Sequence, residues 1–394
     1  MKCITMKQKQ NKNCVALAKQ NGYSMLELLV AMTIGVLVLG SAVSMQVSNR
    51  DGFKATTTEL NMKTNAKLAA DFIGTSLRGL GVMGCRTTEG YQGSGGQSES
   101  SYKIALRDTT LAYADFNPGH ELLGYQASGS TWIPVPSADL SLDNILEGSD
   151  LITLRGGLGE TYVLQDRVEG SDQYTLDIPA GTDVRITKNN FAVASTCKEA
   201  EVFKVTSEDD AIDDGNIGRE AGAGADENAI GTWQKNYGIS KSGYGELRRV
   251  ATVTYYVGDS ASGTPTLYRN VDGISSPLIE GVERMKLDYG IEDDSVLRNV
   301  ASRYMSASQI QANCSSPLAV PMPDTCLWKN VVSVRVSLIM RSKEPVYGKD
   351  VAKTYTLPGV ETMSVDANDR YARTIHSSTF VIRNRMIGDR TNNG

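Results

Sequence analysis

Histidine is almost missing from this chain: His120 and His376 are the only two among 394 residues. They stand far apart, in no ligand spacing, and read as surface or loop residues rather than a metal pair. CxxC, HExxH and GxSxG are absent, and no GK[ST] follows a glycine run. Gly93-Ser94-Gly95-Gly96 reads as a flexible loop, not a phosphate cradle. The common zinc, hydrolase and nucleotide signatures are thereby excluded, and neither an enzyme nor a cofactor is expected. The nearest approach to a cation site is Asp210-Ala211-Ile212-Asp213-Asp214-Gly215-Asn216. Ile212 stands where a calcium loop needs an oxygen ligand, Glu220 comes one residue early, and position twelve is Ala221. A solvated acidic loop is the expectation there, with no metal.

Acidic residues are missing from positions 1–22, which hold Lys2, Lys7, Lys9, Lys12 and Lys19. The net charge of the whole chain is −5, so setting that +5 aside leaves −10 on residues 23–394. A body that acidic lacks the positive field that phosphate backbones need, and nucleic acid is not an expected partner. Cysteines split at the same point. Cys3 and Cys14 lie in the basic segment; Cys85, Cys197, Cys314 and Cys326 lie far beyond it. Four cysteines suit disulfides in an oxidising compartment, with three connectivities open, and four buried thiols are the alternative. Closing the short Cys314–Cys326 loop would stabilise by about 3 kcal/mol, and a Cys85–Cys197 bridge by nearer ~5 kcal/mol.

Proline is absent from Tyr23 to Leu80, and charge is nearly absent from the first part of that stretch. YSMLELLVAMTIGVLVLGSAVSMQV, from Tyr23 to Val47, carries one charge, Glu27. About 20 apolar residues from Leu28 on are enough to cross a bilayer core of roughly 30 Å as a helix. The preceding lysines predict a cytoplasmic leader and a translocated body. A plain signal anchor accounts for the lysines but not for Glu27. A secretory signal cut near Ala42-Val43-Ser44 would tolerate an acid at the edge of its apolar core. Cleavage after Gly22 instead makes use of the acid, because Tyr23 becomes the N-terminus and Glu27 lies one helical turn inside.

Gly22-Tyr23-Ser24-Met25-Leu26-Glu27-Leu28 resembles the type IV prepilin cleavage motif, with Tyr23 where phenylalanine is usual. The resemblance implies a prepilin peptidase that cuts after Gly22 and methylates the amine of Tyr23. It also implies that Glu27 pairs with the N-terminus of an adjacent subunit and sets axial register. An acid costs roughly 2.5–3.5 kcal/mol at the centre of a membrane helix and less near its end. Pairing in a filament would offset that cost.

Helical patterning continues past the apolar run. Met62, Ala66, Ala69, Ile73, Leu77 and Leu80 form one stripe in steps of three and four. Residues 23–80 are thus predicted as one helix, some 85–90 Å long at about 1.5 Å per residue. Gly35, Gly40, Gly52 and Gly74 are weak points in it, and Gly79, Gly81 and Gly84 end it. Beyond Cys85, β-branched or alternating runs predict strands at 150–155, 161–165, 201–206, 249–257, 283–291, 331–340 and 374–383. Loops are expected at 90–101, 207–227 and 258–263. The fold class is therefore α+β: a long N-terminal helix packed against an antiparallel β-sheet head. The expected division is a cleaved leader (1–22), a membrane or filament-core half-helix (23–48), an amphipathic half-helix (49–84) and a β-rich head (85–394).

AADFIGTSLRGLGVMGC (69–85), LIEGVERMKLDYG (278–290), WKNVVSVRVSLIMRS (328–342) and STFVIRNR (378–385) resemble PilW-type minor pilins, as do SDLITLRGG (149–157), CKEAEVFKVT (197–206) and SGTPTLYRN (262–270). No one stretch is diagnostic; their order is. The chain departs from many pilins in lacking a proline in mid-helix. The resemblance implies a pilin-like fold and a low-abundance subunit that primes type IV pilus assembly at or near the tip. Its implied partners are prepilin peptidase, other minor pilins, the major pilin and the inner membrane, with a tip adhesin as a further candidate. The head would face the periplasm before assembly and the cell surface afterwards. A J-type minor pseudopilin of type II secretion, or an adhesive head on a pilin stalk, are the alternatives.

Overall fold

The computed structural model describes residues 24–87, 102–167, 173–177, 184–196, 198–233, 237, 245–292, 300–314, 326–346, 353–358, 362–366 and 368–385. Two compact units divide at Thr56/Thr57. A single helix, α1, runs Met25–Arg78 with no interruption, as the absence of proline allows. It is two residues shorter at each end than the pattern predicts. Gly79 and Gly81 follow, and Gly81 adopts φ +67°, the left-handed geometry that stops a helix.

The second unit holds the last turns of α1 and the β head. Ala66, Ala69, Ile73, Leu77 and Leu80 of the predicted stripe are essentially fully buried, and Met62 is nearly so. They enter one apolar core with Leu151, Ile152, Val253 and Tyr255 from a large sheet and with Met285, Leu287, Val334 and Val336 from a smaller one. The large sheet centres on the long strands Leu151–Arg167 and Glu246–Asp259, paired antiparallel. The hairpin Pro265–Val271/Ile274–Glu280 and the pair Phe191–Ser195/Ala200–Lys204 both continue it beyond Glu246–Asp259, the first along residues 253–259 of that strand and the second along residues 246–250. The smaller sheet is four-stranded, in the order Arg303–Met305, Val282–Ile291, Val331–Pro345, Tyr371–Val381. All its pairings are antiparallel. An α+β head with a largely antiparallel sheet is what the alternating runs require, since each strand buries one face.

Side chains from α1 reach both sheets. Tyr255 Oη donates to Phe72 O at 3.1 Å and bonds Ser76 Oγ at 2.8 Å. Gly74 faces Phe380 so closely that a Cβ would lie 2.3 Å from the ring. Gly74 is therefore a point of close packing, where the pattern alone reads a weak spot. Asn384 Nδ2 donates to Arg78 O and to Leu80 O, both at 2.9 Å, and so satisfies carbonyls left over at the helix end.

Several expectations are corrected. Residues 150–155 and 161–165 belong to one strand, Leu151–Arg167. The predicted loop 207–227 contains a helical turn, Asp209–Asp213, and a strand, Asn216–Gly218. His120 lies in a loop, as expected, but not at the surface: it is buried and its Nδ1 lies 2.8 Å from Asp115 Oδ2. His376 is not in a loop: it lies on Tyr371–Val381, with Nε2 2.9 Å from Ser378 Oγ.

Candidate functional site

Ser24 immediately precedes α1, and its side chain caps the first turn. Leu26 N–H donates to Ser24 Oγ at 3.4 Å, while Ser24 N–H donates to Glu27 Oε2 at 3.2 Å. Glu27, at the third helical position, reaches back to the N-cap amide as in a capping box, while the Ser24 hydroxyl takes the second amide of the helix rather than the third. The carboxylate thus sits at the positive end of the helix, beside the amide that joins Tyr23 to Ser24. Gly22 and Tyr23, the predicted cleavage and methylation residues, lie outside the described residues.

Past Glu27, and as far as Val47, the surface of the helix is almost wholly apolar. Leu28, Val36, Leu39 and Val43 are more than half exposed, and from Met25 to Val47 every residue but Gly35 is exposed. Among the described residues this is the one helix long and apolar enough to cross a bilayer. Its few hydroxyls are satisfied within it. Thr33 Oγ1 donates to Val30 O, Ser41 Oγ to Val38 O and Ser44 Oγ to Gly40 O, at 2.8–2.9 Å. A helix in lipid must close its polar groups internally in this way. Such a surface, apolar all round, calls for acyl chains or other helices.

The other predicted positions fall in the head. Cys314 and Cys326 form a disulfide, both buried in the main core near Trp328. Cys85 is also disulfide-bonded; Cys197 lies outside the described residues. Asp210 belongs to the helical turn Asp209–Asp213, whose Ile212 is buried in a second apolar core. The side chain at the would-be ligand position is therefore a packing residue. Asp209 Oδ1 accepts from Lys188 N–H, and Glu208 pairs with Lys188.

Sequence reading misses the head's buried ion pairs. Arg219 meets Glu201 at 2.7 Å, Lys286 meets Asp150 at 3.0 Å, and Arg373 bridges Glu283 and Asp369. Burial pushes the Asp150 carboxyl up to about 6, against the pull of Lys286. Asp115 is desolvated too, but His120 and Arg155 more than compensate and hold its carboxyl below the usual range. Lone charges would be costly at such depth, so these pairs read as structural.

A capped glutamate heading an apolar spanning helix, followed by an amphipathic half buried in a β head, is the arrangement of type IV prepilin-like proteins. The prokaryotic N-terminal methylation motif, which marks that class, matches residues 17–43. More particularly, the family model of type IV pilus-assembly protein W matches residues 254–384. That span takes in the four-stranded sheet and the hairpin Pro265–Val271/Ile274–Glu280. The chain thus matches a type IV pilus-assembly family over part of its length and carries a prepilin N-methylation motif. No curated protein and no solved structure matches it.

Proposed function

We propose that the chain is a minor pilin, a structural subunit that helps prime type IV pilus assembly and sits at or near the tip. In this reading prepilin peptidase cuts after Gly22 and the amine of Tyr23 is methylated. The chain is a substrate of that reaction and catalyses none. Before assembly it spans the inner membrane once, with the head in the periplasm; afterwards the apolar half of α1 packs among neighbouring pilins. Other minor pilins and the major pilin are its partners.

The observation that carries the reading is Glu27. It is the single charge in an otherwise apolar, exposed helix from Met25 to Val47, and it sits one turn from the proposed new N-terminus. Among the described residues its carboxylate meets only the Ser24 amide, a single neutral donor. A neighbour's amine would supply the opposite charge, and hydrogen bonds between charged groups are roughly twice as strong as neutral ones.

The test is intact mass and N-terminal sequencing of the protein from membranes, with and without prepilin peptidase. A chain that begins at methylated Tyr23 only when the peptidase is present supports the proposal. A chain that begins after Ser44, or at Met1 in both strains, overturns it.

A further inference from the structure

Where α1 ends, the helix and the strands Leu151–Arg167 and Glu246–Asp259 enclose a cleft of about 500 Å³. Its walls are part apolar, with Phe72, Leu158 and Val253, and part cationic, with Arg78, Arg248 and Arg269. No carboxylate lines it. Arg78 Nη2 donates to Thr75 Oγ1 at 3.1 Å and Arg248 Nη2 to Gly159 O at 3.4 Å. Among the described residues none of the three arginines forms an ion pair. Arg248 and Arg269 each bury an Nε–H that has no acceptor.

Arg155, Arg219 and Arg249 also bury an Nε–H without an acceptor, but each has a carboxylate within 3.9 Å. Arg219, Arg335 and Arg373 each contact a carboxylate within 2.8 Å. A buried donor left unsatisfied costs about 1–3 kcal/mol, and more when charged. Three guanidinium groups converging on an unfilled cleft therefore favour an anion, and their planar forks suit the paired oxygens of carboxylate or phosphate. The negative end of α1 does not cancel this field, since Asn384 already occupies the carbonyls of Arg78 and Leu80. Glycine lets the helix end, the strand and Arg248 close on one another at the wall of the cleft. A Cβ on Gly157 would lie 2.8 Å from Arg248 Cδ, and one on Gly79 would lie 2.8 Å from Gly157 O.

We propose that this cleft binds a small ligand carrying one oxyanion, a carboxylate or a phosphate monoester, on a compact body with an apolar face. The volume falls within the range of roughly 300–1,000 Å³ usual for small-molecule sites.

The test is calorimetry on the full chain in non-ionic detergent at constant chloride, with glucuronate, glucose 6-phosphate and neutral glucose as probes. At least one anion binds, glucose does not, and Arg248→Met/Arg269→Met weakens binding at least about tenfold with the melting temperature retained. Glucuronate alone assigns the carboxylate; glucose 6-phosphate alone assigns the phosphate. Should that double variant fail to fold, Arg78→Met on the exposed helix end takes its place, with a smaller loss expected. Binding of neither anion at about 10 mM, or binding unchanged in the variants, overturns the site.

Discussion

Asp272 is a residue whose place in the turn and in the interior pull in different directions. With Gly273 it forms the two-residue turn between Pro265–Val271 and Ile274–Glu280, at φ +52° and +88°. Two left-handed residues in succession suit Asn-Gly or Asp-Gly in a hairpin. Its carboxylate accepts from Thr252 N–H at 2.8 Å and faces Arg249 at 3.5 Å. Burial pushes the group up to about 6, despite the Thr252 amide and Arg249. The unfolded chain holds it near 3.8. Between those values the folded state carries the extra proton, so the wild type loses stability as pH rises from about 4 to 6. Asp272→Asn keeps an acceptor for Thr252 and a side chain that tolerates the turn. Its stability in detergent, read by thermal denaturation, should exceed the wild type's at pH 7 by on the order of 1 kcal/mol, and the advantage should vanish near pH 4. An advantage independent of pH would rule out this assignment. Asp272-Gly273 between two β-prone runs is legible as a hairpin signal, yet that hairpin is absent from the strands read from sequence. Its contact with Arg249 could not be read, because sheet register alone brings the two together.

Elements show the same division between local and distant causes. The buried face of α1 is legible because six apolar residues repeat at helical spacing, and all six enter the core. Strand Leu151–Arg167 is legible only in two pieces, because Gly156, Gly157 and Gly159 imitate a turn. They are there for a tertiary reason: the end of α1 bridges to this strand at Leu80–Gly156. Gly74 answers the same need on the helix. Gly74→Val should cost about 1–3 kcal/mol, because Phe380 must leave its place against the helix. Gly52, with nothing within 4 Å, should instead gain up to ~1 kcal/mol on change to alanine. Adding Phe380→Ala to Gly74→Val should cost less than the sum of the two changes, a coupling that thermal denaturation in detergent would read. Strict additivity would refute the contact. The Cys314–Cys326 bridge is a shorter tie, 12 residues apart in sequence. Replacing both cysteines with serine should lower stability by about 2–4 kcal/mol, and an unchanged melting temperature would show that the closed loop is dispensable.

At the scale of the whole molecule, the N-terminal segment was readable and the arginine cleft was not. Leader, Glu27 and apolar run are contiguous, so their physical relation is written in order along the chain. Arg78, Arg248 and Arg269 are brought together only by the packing of α1 on the sheet, across nearly half of the sequence. Assembly tests the readable part, because Glu27 has two separable properties. It accepts the Ser24 amide as a cap, and it carries the one charge of the apolar segment. Glu27→Ala removes both, Glu27→Gln only the charge. Loss of the cap alone should weaken the first turn by roughly 0.5–1 kcal/mol, too little to unfold a helix of 54 residues. Loss of the charge removes the attraction to a neighbour's amine. Both variants should therefore be cut at the same bond as the wild type, differing in mature mass only by the substitution. Both should also be depleted from sheared surface filaments, by about tenfold or more, while accumulating in the membrane. If Glu27→Gln enters filaments as the wild type does and Glu27→Ala does not, the cap matters and the charge does not. If both enter normally, Glu27 has no part in register, and the apolar face of α1 alone directs assembly.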